Sequence, residues 1–490
     1  MRILQVSAEI YPLLKTGGLA DIAGALPAAL QAVGCDVRLL LPGFPAIVRG
    51  LTDTVEVGQF DAPWGERLRI DIGVVPALSS ADRPVHAYVL VAPALFDRPG
   101  GPYEGTDRRP FGDNHRRFAA LGWAAAQIAY GLDPYWRAQL VHSHDWHAAL
   151  APACLAFWGR DQGGKVPSVY TIHNLAYQGV FDAHLFADLG LPPGAFSVHG
   201  MEYYGQMSFM KAGLVYADHI TTVSPTYARE IQTPEQGCGM DGLLRARAAD
   251  LSGILNAVDR KVWNPASDPL LAINYDTRHM AGKAKNKADL QVAMGLPALP
   301  DVPLFAMVSR ITEQKGLPLV LGALDEIIAR GGQLVVLGNG DLALEQTIME
   351  RVKAHPQHFA ARIGYDEAFA HLIFAGSDVT LVPSLFEPCG LTQMYGLRYG
   401  SLPLVRRVGG LADTVIDSDL ETLADKTATG FVFDKFDVTD YRHAIRRAFA
   451  LYQRKSEWAT VRKTGMRLAM DWQDAAQQYA DLYQSLIHSA

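Results

Sequence analysis

The sequence predicts an α/β protein made of two Rossmann-like halves, each a parallel sheet covered by helices. Three observations carry this prediction. Short β-rich apolar runs alternate with amphipathic helical stretches, the pattern of strand–helix–strand units. The runs fall into two series separated near residues 250–265. The pentapeptide Gly-Gly-Leu-Ala-Asp also occurs once in each half, at Gly17–Asp21 and Gly409–Asp413, each time between a strand-like and a helix-like run. The repeat suggests two similar halves facing one another across a deep cleft.

In the first series Ile3–Val6, Val37–Leu41, Val85–Val91, Leu140–His142 and Val169–Ile172 read as strands, with helices at Ala20–Ala32 and Phe118–Ala129. The first connection is long: Pro42 to Gly112 carries several Gly/Pro breaks and much polar material. The second series follows Asn256–Asn264. Its strands are Leu304–Val308, Leu334–Leu337 and Val379–Val382, and its helices Leu317–Ala329, Leu342–Ala354 and Thr439–Tyr452. The expected domains are therefore residues 1–255 and 256–470, followed by a helix in 471–490. Tyr479, Leu482, Tyr483 and Leu486 give that last helix an apolar face for packing on a domain surface.

Composition narrows the function classes. The 490 residues include 44 Lys+Arg against 51 Asp+Glu, a net charge of −7. That balance argues against a nucleic-acid partner, which needs a basic surface, but a few local cations suffice for one diphosphate. Cys35, Cys154, Cys238 and Cys389 lie far apart and form no CxxC pair, so neither a disulfide framework nor a zinc site is expected, and a reducing cytoplasm fits. The opening MRILQVSAEI lacks the features of a secretory signal. No apolar run approaches the roughly 20 residues that span a bilayer, so no membrane partner is expected.

Five segments carry candidate chemistry. In Lys15-Thr16-Gly17-Gly18-Leu19-Ala20-Asp21 the two glycines admit close approach of a ligand, the following helix offers free N–H groups, and Lys15 adds a positive charge. A tight turn with a solvated lysine would look the same, and neither Gly-Gly copy is a dinucleotide GxGxxG. Ser309 to Gly316 follows a strand, placing Arg310 and Lys315 where α/β sheets bind ligands. Arginine offers phosphate a planar fork and lysine a compact charge, although both residues suit an ordinary surface. In Ser384 to Gln393 a strand runs through a loop into a helix expected from about Gly390. Glu387 stands near its start, either to meet sugar hydroxyls or simply to satisfy the helix dipole. The remaining two are His142-Ser143-His144-Asp145-Trp146-His147 and Thr171 to Gly179, which includes His173. No second cluster with ligand spacing accompanies them, so hydrogen-bonded histidines are expected in place of a metal centre.

Taken in order, KTGGLAD, HDWH, TIHNLAYQG, ILNAVD, SRITEQKG, FEPCGLTQMYGLRYG and GGLADTV resemble the motifs of bacterial glycogen synthases and plant starch synthases, retaining glucosyltransferases of the GT-B fold. The resemblance spans Lys15 to Val415. It implies an acceptor-side N-terminal domain and a donor-side C-terminal domain, with ADP-glucose as donor and an α-1,4-glucan such as glycogen as acceptor. It also implies that no cofactor or metal is needed. Lys15, Gly17 and Gly18 correspond to donor-phosphate and glucose contacts, Asp145 and His173 to sugar-side active-site residues, and Asn256 to a contact near the hinge. Arg310 and Lys315 correspond to the diphosphate clamp, Tyr365 to the residue stacking on adenine, and Glu387 to the key carboxylate, with Cys389, Gly390, Leu391 and Thr392 beside the donor. The expected catalytic set is thus Glu387, His173, Asp145, Arg310, Lys315 and Lys15.

The chain departs from the family pattern at two positions. Phe96 stands where tyrosine is expected, removing a hydroxyl near the substrate, and Val408 where threonine is common. Eight positions after Glu387, where related families carry a second glutamate, this chain has Tyr395. Two other readings remain: a phosphorylase, for which no pyridoxal-lysine motif is found, and a catalytically silent glucan- or nucleotide-binding protein.

Overall fold

The computed structural model describes residues 1–80, 82–159 and 164–489. The chain forms two compact units. One is Met1–Asn256 together with the C-terminal segment from Trp472, and the other is Ala257–Asp471.

The N-terminal unit is built on a nine-stranded sheet. In spatial order its strands are Leu251–Gly253, His219–Thr222, Ser168–Ile172, Leu140–His144, Arg2–Val6, Asp36–Pro42, His86–Val91, Arg67–Val74 and Thr52–Asp61. The first seven pair in parallel, and helices cover them because their side chains are buried on both faces; Ile3, Leu4 and Val6 are fully buried. The last two strands run antiparallel and come from the long first connection. In Arg67–Val74 the alternation of Leu68 and Ile70 with exposed arginines fits a sheet edge wet on one face.

The C-terminal unit carries six parallel strands in the order Phe359–Ile363, Gln333–Gly338, Leu304–Val308, Val379–Val382, Leu402–Arg406 and Phe431–Phe433. The strand order reverses between Leu304–Val308 and Val379–Val382, whose helical connections leave in opposite directions. Ligands of such sheets bind beyond the carboxyl ends of the strands at that point. The N-terminal sheet has its own reversal, between Arg2–Val6 and Leu140–His144.

Three elements differ from the sequence reading. The helix expected over Leu317–Ala329 is two short ones, Leu317–Gly322 and Leu324–Ala329, broken at Ala323 (φ −105°, ψ 1°) next to a weakly helical glycine. The helix after Glu387 begins at Thr392, because Gly390 takes φ +73°. The final helix, Trp472–Ser489, packs against helix Gly18–Ala32 of the N-terminal unit. Its buried face is Ala475, Ala476, Tyr479, Ala480 and Tyr483, while Leu482 and Leu486 are only half-buried. The alanines let the two helices approach closely, which rotates the leucines off the contact. Among the described residues no helix is long and apolar enough to cross a membrane.

The final helix also reaches the sheet. Tyr483 OH is 2.6 Å from Nδ1 of the fully buried His142, whose Nε2 meets Thr171 Oγ1 at 2.6 Å. Burial pushes the His142 imidazole down to about 3, so it is neutral and both ring nitrogens need partners. Tyr483→Phe, which keeps the ring and removes only the hydroxyl, is expected to lower stability by about 1–3 kcal/mol, the cost of a buried orphaned polar group. Chemical denaturation monitored by tryptophan fluorescence measures this; an unchanged midpoint would show that the contact contributes nothing.

Candidate active site

In the C-terminal unit two loops meet beyond the carboxyl ends of the strands flanking the reversal. Leu304–Val308 leads through Ser309 and Arg310 to a single 3-10 turn, Glu313–Lys315. Val379–Val382 leads to Ser384 and Glu387. The loops are laced together: Leu385 N–H donates to Gln314 O at 2.8 Å, and a Cβ on Gly316 would collide with Pro383 O. This places Lys315 Nζ 2.6 Å from Glu387 Oε2, which also accepts from the buried Ser384 Oγ at 2.8 Å. Glu387 is only 7% exposed, and these two donors satisfy its Oε2. Arg310, on the same loop as Lys315, is exposed.

Cys389 is buried, and Gly390 and Leu391 lead to helix Thr392–Tyr399, whose N-terminus has no side-chain cap. Tyr365 follows strand Phe359–Ile363 with its ring 70% exposed and its hydroxyl bonded to Glu367. Tyr395 sits on the same helix as Thr392 but turns inward, stacked on Trp263 with ring centroids 3.8 Å apart.

In the N-terminal unit the groups gather at the corresponding reversal. Lys15 Nζ pairs with Asp21 Oδ1 at 2.9 Å, spanning the Thr16–Gly18 turn. The buried Glu9 organises that turn. Its carboxylate accepts from Thr16 N–H at 2.6 Å, from Gly17 N–H at 3.3 Å, and from the Thr16 and Tyr103 hydroxyls. The Tyr103 ring in turn stacks on His147 at 4.4 Å.

Beyond Leu140–His144, Asp145 takes φ +59°, a strained conformation for a non-glycine residue and one that concentrates at functional sites. Burial raises its carboxyl to about 7, although backbone N–H groups of Asn174, His173 and Trp146 partly offset the effect. Asp145 Oδ1, His144 Nε2 and His147 Nδ1 are all buried without a hydrogen-bond partner among the described residues. His144 Nδ1 lies 3.0 Å from His173 Nε2, and burial holds His173 down at about 3, so that pair is uncharged. Three orphaned polar atoms in one tetrapeptide are a cost that a polar ligand would relieve. Asn256, also buried, closes the N-terminal unit.

The structure brings Lys315, Glu387 and Ser384 into contact within the C-terminal unit. In the N-terminal unit it brings together Lys15, Glu9, Tyr103 and the His144–His147 segment. Glu9 and Tyr103 lie outside the segments singled out from sequence, and Ser384, His144 and His147 lie inside them but were given no individual role. Glu9 had a signal, being a charged residue in an apolar run just beyond the first strand; Tyr103, in the long polar connection, had none. Phe96 is 2% exposed, packed edge-on against Phe44 at 5.3 Å and beneath the Arg117 guanidinium. Its ring belongs to the hydrophobic core of the N-terminal unit. Val408 is likewise buried, at the N-cap of helix Gly409–Thr414.

The repeated pentapeptide does two different things. A Cβ on Gly17 would meet nothing within 4 Å. On Gly409 or Gly410 it would collide with the backbone carbonyls of Glu387 or Cys389. Gly410 N–H donates to Glu387 O at 3.2 Å and Pro388 O at 3.1 Å. The second copy therefore braces the Glu387 loop, whereas the first leaves open space where a Gly17 side chain would stand.

Comparison with known proteins agrees with this architecture. Residues 2–246 match the starch synthase catalytic domain and residues 296–461 match the glycosyl transferases group 1. The fold and these two matches define a two-domain α/β glycosyltransferase of the GT-B type. The glycogen synthase of Variovorax paradoxus (strain S110) is 62% identical over 495 residues, covering 100% of both chains. That of Leptothrix cholodnii is 57% identical over 491 residues, 99% of this chain and 100% of the relative. The catalytic domain of starch synthase IV from Arabidopsis thaliana, solved bound to ADP and acarbose, is 30% identical with a TM-score of 0.88 over 99% of each chain. Sucrose-phosphate synthase from Thermosynechococcus elongatus, at 17% identity and TM-score 0.59, shares the fold. The chain belongs to the glycogen synthase family.

Two outcomes follow from this geometry. Gly410→Ala is expected to cost about 1–3 kcal/mol by overpacking. Gly17→Ala should stay within about 0.5 kcal/mol of wild type while lowering transferase turnover. Thermal denaturation of both, beside an activity assay, checks the contrast; equal destabilisation would contradict it. The second outcome concerns Asp145. Its folded-state pKa lies above the unfolded value, so the folded state binds the proton more tightly and stability falls as pH rises towards about 7. Between pH 5 and 8 this loss amounts to about 2–3 kcal/mol. Asp145→Asn should therefore gain on wild type by about 2–3 kcal/mol between pH 5 and pH 8, with lower activity at both. Urea midpoints at the two pH values decide it, and a gap that does not widen with pH would contradict the assignment.

Proposed function

We propose that the protein is a retaining glucosyltransferase that moves glucose from ADP-glucose to the non-reducing 4-hydroxyl of an α-1,4-glucan, extending glycogen. The observation that carries the reading is the Lys315–Glu387–Ser384 cluster at the sheet reversal of the C-terminal unit, with Arg310 on the same loop. The starch synthase IV neighbour, bound to ADP and acarbose, supports a nucleoside diphosphate and a glucan as ligands.

As the glycosidic C–O bond of the donor breaks, negative charge grows on the diphosphate and positive charge on the sugar ring. Lys315 and Arg310 answer the first, Lys315 as a fixed point charge and Arg310 as a planar fork. Backbone N–H groups from Cys389 to Thr392, at an uncapped helix start, add to them. Glu387 answers the second. Its pairing with Lys315 in the free protein holds both side chains in place, so little reorganisation is needed when the donor binds. Tyr365 offers the nucleotide base an exposed aromatic face. The N-terminal unit supplies Lys15 and the Gly17–Gly18 turn, Asp145 and His173 meet sugar hydroxyls, and Asn256 lies near the hinge. With retention, the departing phosphate takes the acceptor's proton as the new bond forms. None of the four cysteines is in a disulfide, which suits a reducing cytoplasm.

Release of ADP from ADP-glucose in the presence of glycogen, run beside UDP-glucose, tests the function and the donor together. A silent binding protein would release neither nucleotide. Lys315→Ala and Arg310→Ala are each expected to lower turnover by about 10²–10³ while remaining folded. Near-normal turnover in a folded variant would remove that cation from the mechanism.

A further inference from the structure

Residues 263–275, near the start of the C-terminal unit, pack against two helices that the donor reading uses at opposite ends of the nucleotide. Helix Glu367–Gly376 begins at its N-cap Asp366, directly after Tyr365, the residue offered to the base. Helix Thr392–Tyr399 opens on the uncapped turn offered to the diphosphate. Trp263, 5% exposed, stacks on His371 of the first helix and on Tyr395 of the second. In both pairs the ring centroids are 3.8 Å apart and the planes 14° apart. Two rings cannot share one face of an indole at that distance. Trp263 is therefore sandwiched, and its thickness holds the two side chains apart.

The residues after Trp263 fasten to the same two helices. Asp268, 1% exposed, accepts from Tyr399 OH at 2.5 Å and lies 2.7 Å from His371 Nδ1. Burial opposes its charge, but the hydrogen bonds from His371 and Tyr399 prevail and hold its carboxyl below the ordinary range. His371 Nε2 is buried with no partner among the described residues, so the ring is oriented through Nδ1 and the indole stack. Asn264 Oδ1 accepts from Arg398 Nη2 at 3.3 Å, and Tyr275 OH donates to Tyr399 O at 2.8 Å. A flat, rigid spacer fixed on both faces and flanked by polar anchors defines a distance, which a flexible apolar side chain of similar bulk would not.

From this sandwich we propose that Trp263 is a positioning residue that sets the spacing between the base-binding and diphosphate-binding ends of the donor site. Its role as a donor spacer rests on the glucosyltransferase reading given above. A ligand that spans two positions gains from both only where their spacing matches its own length; otherwise the second engagement is lost although each position is intact.

Equilibrium binding of ADP, adenosine and inorganic pyrophosphate to the full-length protein tests this, beside steady-state kinetics. Trp263→Leu keeps an apolar side chain and removes the planar spacer, whereas Trp263→Phe keeps a ring. The leucine variant is expected to bind ADP at least tenfold more weakly, with adenosine and pyrophosphate within twofold of wild type. KM for ADP-glucose should rise by a similar factor with KM for glycogen unchanged, and Trp263→Phe should stay within threefold of wild type. A general loosening of the unit would instead weaken all three ligands together. Where Trp263→Leu does not fold, Tyr395→Leu, which removes one face of the sandwich, is expected to show the same split. Equal losses for ADP and its two fragments overturn the proposal, as does unchanged ADP binding. If wild type binds ADP no better than pyrophosphate, the donor reading fails and the spacer falls with it. If wild type binds ADP tightly and the variants do too, the spacer alone fails.

Discussion

A carboxylate almost excluded from water is stable only where a cation and further hydrogen-bond donors hold it. Glu387 meets that condition through Lys315 and Ser384, and much of the C-terminal unit's architecture serves the meeting. The two loops that carry these residues are adjacent because the parallel sheet changes direction between their parent strands. Gly316 lets one loop lie against Pro383 of the other, and Gly409 and Gly410 let a helix start press on the Glu387 loop from behind. The charges are therefore positioned by backbone contacts, which do not depend on side-chain flexibility. Sites that stabilise developing charge need that rigidity, since a group that must move into place during the reaction stabilises it less.

The N-terminal unit solves a related problem with a different balance. Glu9 ties the Lys15–Gly17 turn to Tyr103, and Tyr103 ties that turn to His147. A continuous set of contacts thus joins the two loops at this sheet's reversal. Here, however, polar atoms on His144, Asp145 and His147 have no partner among the described residues, and Asp145 is held in an unfavourable backbone conformation. In the C-terminal cluster the charges of Lys315 and Glu387 are paired with one another, whereas the N-terminal one gathers unmet hydrogen bonding on a single tetrapeptide. Such a difference suits a binding partner rich in hydroxyls for the second and an anion that competes with an existing ion pair for the first.

Much of this was legible in the sequence, for identifiable reasons. The buried parallel strands Leu304–Val308 and Val379–Val382 were readable because continuous apolar runs of that length, set between helical stretches, have few alternatives. Arg310, Lys315 and Glu387 were readable because charged residues just past such strands fall where α/β sheets bind ligands. The split of Leu317–Ala329 was not read because periodicity continues across the break and Gly322, its one local cue, is also tolerated inside helices. The partners of the key groups were hidden as well. Ser384 and Tyr103 are ordinary residues until the chain folds, and the distance from Tyr103 to Glu9 along the sequence carries no local pattern. The repeated Gly-Gly-Leu-Ala-Asp was visible as a repeat, but that one copy is open and the other braced follows only from their three-dimensional surroundings.

The central claim is that the leaving diphosphate is neutralised by the loops that follow the first and fourth strands of the C-terminal sheet. Amide hydrogen exchange of the intact protein, with and without ADP, examines this directly. The account predicts slowed exchange in residues 309–316 and 384–392 on adding ADP. Protection confined to other segments, with these two loops exchanging at their free rates, would contradict it.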